Sequence, residues 1–132
     1  MGIRTFDDRL HDEEIREACN SLTLASHGES LRAGWWNGPA TFEVTVVPAK
    51  LCLIHSEISE AMEGHRKDAM DDKLPHRKAI EVELADAVIR IFDLAGFLGL
   101  DIGGAMIEKM AYNRSRADHK TEVRAQSGGK RY

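Results

Sequence analysis

Residues 53–62, Leu53-Ile54-His55-Ser56-Glu57-Ile58-Ser59-Glu60-Ala61-Met62, and residues 80–88, Ile80-Glu81-Val82-Glu83-Leu84-Ala85-Asp86-Ala87-Val88, carry the pattern that decides the fold. Apolar side chains recur in both at three- and four-residue intervals, the period of an amphipathic helix and not the two-residue alternation of a strand. At about 100° per residue, Leu51, Ile54, Ile58, Ala61 and Met62 share one arc, the expected core face of the first helix. Ile80, Leu84, Ala87, Val88, Ile91, Ala95 and Leu98 share the corresponding arc of the second. Beside each arc lies an acidic pair at i, i+3, Glu57 with Glu60 and Glu83 with Asp86, each pair projecting from one side of its helix. Antiparallel packing would bring four carboxylates together at the edge of the core.

Working outward, residues 7–26 read as an earlier helix through Leu10, Ile15, Ala18, Leu22 and Ala25, with acidic residues near its start. Residues 28–42 hold Gly28, Gly34, Gly38, Pro39 and the adjacent Trp35 and Trp36, and read as a loop. Pro48 suits a first helical turn, so a helix is predicted from there to about Lys67. The β-prone segment 43–47 is either a short extended lead-in or an earlier start of that helix. Residues 68–78 read as a connector. The next helix spans about Lys78–Leu98 with Gly99 as its C-terminal cap, and a last one follows Asp101 to about Arg116. Residues 117–132 read as a flexible basic tail. The prediction is an all-α fold of four to five helices, one domain over 1–132.

The 132 residues carry a formal charge of −4, with 42% hydrophobic and 30% charged residues, which is ordinary globular composition and argues against a general nucleic-acid partner. Cys19 and Cys52 have no metal or redox spacing and read as free thiols of a reducing compartment. No stretch is long and apolar enough to span a membrane, and the first residues lack a signal-peptide core, so the expectation is a cytoplasmic protein without a membrane partner. A chain this small with several amphipathic helices struggles to cover every apolar face by itself, which predicts a homo-oligomer.

Four converging carboxylates repel one another and lose hydration, so some stay protonated unless a cation neutralises them. A hard divalent ion with oxygen ligands, above all magnesium, suits such a site and keeps water positions for phosphate oxygens. The bland alternative makes these solvated residues paired with Arg66, Lys67, Lys78 or Arg90. It accounts for any single Glu better than for two core-edge pairs on neighbouring helices.

The order Glu57-x-x-Glu60, then Glu83-x-x-Asp86, followed by Glu108-Lys109-Met110-Ala111-Tyr112-Asn113-Arg114, resembles the MazG-like all-α nucleoside triphosphate pyrophosphohydrolases, in particular small phage and bacterial members, over roughly residues 35–116. Ser56 stands where many members have a further Glu, and His119 is separated from Gly128-Gly129-Lys130, which related chains often join. The resemblance implies a MazG-like bundle and hydrolysis of the α–β phosphoanhydride to a nucleoside monophosphate and pyrophosphate. It implies magnesium, with manganese able to substitute, held by Glu57, Glu60, Glu83 and Asp86. Glu57 is the favoured acceptor of the attacking water's proton. The same resemblance makes Lys109, Asn113 and Arg116, spaced i, i+4, i+7, a phosphate-binding stripe, and implies a tetramer built as a dimer of dimers. Trp35 or Trp36 is a candidate nucleoside-stacking residue, and likeness to phage enzymes acting on dGTP implies a purine.

Two other readings compete. A non-enzymatic helical oligomerisation or regulatory module explains the amphipathic helices and leaves the carboxylate pairs unexplained. A homologue that binds nucleotide without cleaving it fits less well with four intact carboxylates. His11-Asp12, the spacing of His55 and His65, and Gly103-Gly104 lack the companions that metal or phosphate motifs need.

Overall fold

Glycine follows the ends of α-helices at positions 34 and 99, and an aspartate at position 101 caps another, in the computed structural model, which describes residues 12–39, 42–116, 118 and 120–129. The elements are α1 (Asp12–Arg32), α2 (Phe42–Arg66), α3 (Ala79–Leu98), α4 (Ile102–Ser115) and α5 (Thr121–Arg124). Among the described residues there is no strand, only an isolated bridge between Met70 and Lys78. The all-α expectation therefore holds. None of these helices is long and apolar enough to cross a membrane.

α1 opens on Asp12, Glu13 and Glu14 and closes on Arg32, charges that complement the helix dipole at each end. It passes through Gly28 and ends before Gly34, whose φ of 77° suits glycine. Residues 28–32, expected to be loop, are thus helical. One internal glycine costs only about 1 kcal/mol, and the preceding turn is anchored by buried Ser26 and by His27, which bonds Asp93. The expected start at residues 7–11 lies outside the described residues.

α2 begins at Phe42, the earlier of the two starts that residues 43–47 left open, so Pro48 is inside the helix. Proline deprives the Val44 carbonyl of its helical donor, and Val44 is highly exposed, where water can take that place. α2 then packs against α3 as a hairpin. The close approach is made by Gly64, where a Cβ would sit 2.8 Å from the Ala79 Cβ. The connector between the two is folded around buried Asp71. Its carboxylate accepts from the Lys73 and Leu74 amides at 3.0 and 2.6 Å, while its own N–H donates to the Arg77 carbonyl. α3 ends at Gly99 with φ 65°, as its sequence predicts. Asp101 caps α4 by accepting from the Gly104 N–H at 2.8 Å.

The chain divides into two compact units. One comprises the chain up to Asn20 and from Asp101 onward, the other Ser21–Leu100. In the first, Gly103 lets α4 approach α1 at Cys19 and Arg16, Arg16 pairs with Asp101 at 3.1 Å, and the Cys19 thiol meets the Met106 sulfur at 3.8 Å. α5 occupies part of the segment expected to be a flexible tail.

In the second unit the core is made of Val46, Ala61, Ala87, Phe92, Leu94 and Ala95. The expected apolar arcs are only half used. Leu51, Ile58 and Met62 on α2, and Leu84, Val88 and Ile91 on α3, are exposed. Each arc is wider than the single partner helix can cover, so small residues such as Ala61 and Ala87 line the contact and the larger ones stay outside it.

Candidate metal centre and adjoining cleft

The α2–α3 hairpin brings the two acidic pairs together as their spacing predicts. Glu57, Glu60 and Glu83 each offer a carboxylate oxygen, and these oxygens lie within 4.8 Å of one another. Glu57 is buried, Glu83 half-buried and Glu60 exposed. Asp86 stands one turn further along α3. It is outside that triad but close enough for the Glu57 charge to act on it.

The electrostatics are those of a crowded anion site. Burial, a hydrogen bond to Glu57 and the charges of Glu60, Glu57 and Asp86 push Glu83 from its ordinary 4.5 up to about 7. Asp86 is also raised, first by burial, then by Glu57, while Arg90 opposes the rise and Asp71 adds to it. One cation answers the buried carboxylate directly: Arg90 Nε donates to Glu57 Oε1 at 2.6 Å. Oxygen-only donors, close enough to share an ion and short of positive charge, fit magnesium or manganese.

A cleft of about 390 Å³ opens next to Asp86, lined by Trp35, Ser30, Lys50, Leu53, Ile89, Arg90 and Asp93. The two tryptophans part company here. Trp35 is 67% exposed and forms one wall. Trp36 is structural: its ring stacks on Phe97 at 3.9 Å between centroids, and its Nε1 donates to Asp93 Oδ1 at 2.7 Å. Asp93 is the buried hub of this region. It also meets His27 Nδ1 at 2.9 Å and Lys50 Nζ at 3.8 Å, tying α1, the loop and α2 onto α3. Lys50 lies over the Trp36 ring, 4.7 Å from its centroid.

Sequence reading missed Asp93, Lys50 and His27. The available signal was an aspartate inside the apolar run Ile91-Phe92-Asp93-Leu94-Ala95, where a charge survives only with partners. It named Arg90 merely as one possible surface partner.

The residues expected to bind phosphate belong to the other compact unit. Lys109 lies on α4 with Nζ 4.6 Å from the Tyr112 ring centroid. Asn113 has its side-chain oxygen buried and without a hydrogen-bond partner. Arg116 follows the last residue of α4, and its Nε donates to Asp118 at 2.8 Å. His119 and Lys130 lie outside the described residues. No protein-family model, curated protein or solved structure matches this chain.

Proposed function

We propose that the protein is a magnesium-dependent nucleoside triphosphate pyrophosphohydrolase of MazG-like type, converting a (deoxy)nucleoside triphosphate to its monophosphate and pyrophosphate. The observation that carries this reading is the Glu57, Glu60 and Glu83 cluster, with Asp86 a turn away and the cleft beside it. Glu57, Glu60, Glu83 and Asp86 would hold the divalent cation, with manganese able to replace magnesium. When bound, the cation supplies charge neutralisation for the phosphate oxygens and a more acidic water. Glu57 is the favoured acceptor of the water's proton, since it lies inside the cluster beside Glu60 and Glu83.

The nucleoside sits in the cleft, where the exposed indole of Trp35 offers a stacking face and Leu53 and Ile89 offer apolar sides. Trp36 acts on the cleft through Lys50 and Asp93, which line it. A large ring system gains most from stacking, which favours a purine, guanine in particular on the phage resemblance. On the resemblance, Lys109, Asn113 and Arg116 are candidates to bind phosphate, and Arg116 would then exchange Asp118 for it. The exposed Leu51, Ile58, Met62, Leu84, Val88 and Ile91 supply an apolar face that a second copy covers in a homo-oligomer, a tetramer arranged as a dimer of dimers.

A panel of nucleoside triphosphates with magnesium, resolved by chromatography, tests the reading. Monophosphate should form with magnesium and cease with chelator. Absence of turnover for every triphosphate would favour the interaction-module reading, which the same exposed apolar face also suits.

A further inference from the structure

Arg90 belongs to two places at once. Its Nε is bonded to Glu57 at 2.6 Å, and its side chain lines the cleft with Trp35 and Lys50. The partners differ in freedom. The Glu57 side chain is 8% exposed and the Arg90 side chain 36%, so the guanidinium has an open route away from the carboxylate while Glu57 is held by its surroundings. A divalent cation bound by Glu57 would stand within a few ångströms of the Arg90 charge as now placed, and like charges so close in a partly buried site repel strongly. The open route runs along the cleft, where Lys50 already places one positive charge.

We infer that Arg90 is a displaceable counter-cation: it neutralises Glu57 before a divalent ion binds, yields to that ion, and then offers its planar donors to a phosphate group in the cleft. This rests on the metal-binding reading above. A guanidinium suits both stations, because carboxylate and phosphate present the same pair of acceptor oxygens to its fork. The arrangement couples the two ligands. The divalent ion frees the donor that the phosphate needs, and by reciprocity the phosphate favours the ion by removing its competitor.

The test measures manganese affinity by calorimetry, without nucleotide, for the wild type, Arg90→Gln and Arg90→Lys, each checked for helicity by circular dichroism. Removing the competitor should tighten manganese binding in Arg90→Gln about tenfold, equivalent to ~1.4 kcal/mol. Arg90→Lys, which keeps the charge without the fork, should fall between the two. With manganese saturating, dGMP binding followed by tryptophan fluorescence should weaken several-fold in Arg90→Gln. Manganese binding that is unchanged or weaker in either variant overturns the inference, since Arg90 would then only orient Glu57. No manganese binding by either the wild type or Arg90→Gln overturns the metal reading itself, and this inference with it. Tighter manganese with unchanged dGMP binding removes the phosphate half of the proposal.

Discussion

Replacing Glu83 by Gln takes one negative charge out of the cluster while keeping a side chain that can still donate to Glu57. The unfolded chain ionises this carboxyl near 4.5, the folded one near 7. Between these values the folded state holds the extra proton, so stability falls as pH rises through the interval and the penalty is complete above it. The raised value alone corresponds to roughly 3 kcal/mol at pH 8. Glu83 is only half-buried, and solvent screening reduces the expected gain of the Gln variant to ~1–2 kcal/mol. For a chain of this size that is a rise of several degrees in Tm. Differential scanning calorimetry of metal-free protein should show the gain at pH 8 and little of it at pH 4.5. Magnesium should stabilise the wild type at pH 8 and leave Glu83→Gln nearly unmoved. A destabilised variant at pH 8, or an equal gain at both pH values, would contradict this, because burial and the neighbouring carboxylates would then not be opposing the charge on Glu83.

The remaining predictions concern the same unit. Glu60→Gln or Asp86→Asn should lower turnover by more than about 100-fold, beyond what loss of an outer partner of a metal ligand usually costs, with the helical circular dichroism signal retained; near-normal rates in both would remove the site. Trp35→Ala should weaken kcat/KM by about 5–150-fold, the loss of one base stack, with little change in Tm, whereas Trp36→Ala should chiefly lower Tm because it strips Asp93 and Phe97 of a partner. Light scattering at micromolar concentration should give a multiple of the single-chain mass, and Met62→Glu should shift it downward, since Met62 lies on the exposed stripe; a single-chain mass for the wild type would contradict the oligomer.

Much of the hairpin was legible because its signals are local and periodic. The i, i+3 carboxylates, the Gly99 cap and the helix start after Asp101 each depend on one or two helical turns, so sequence spacing alone locates them. The far end of α1 was not legible. Gly28 looks like a breaker, and the contact that keeps its turn helical, His27 with Asp93, spans 66 residues. The same long range hid the difference between Trp35 and Trp36, since only the fold says which indole reaches Asp93 and Phe97. The apolar arcs match the buried side only in part: Ala61, Ala87 and Ala95 are buried, Ile58 and Leu84 are exposed, and Phe92 and Leu94 lie in the core outside the expected arc. Periodicity finds an apolar face and says nothing about how much of it one neighbouring helix can cover.

Cleavage between the α and β phosphates is the reaction proposed for these carboxylates. Phosphorus-31 NMR of dGTP with the protein and magnesium tests it most directly. The triphosphate resonances should give way to those of dGMP and pyrophosphate together, and chelator should stop the change. Orthophosphate and dGDP as the first products, or a triphosphate spectrum that does not change, would contradict it.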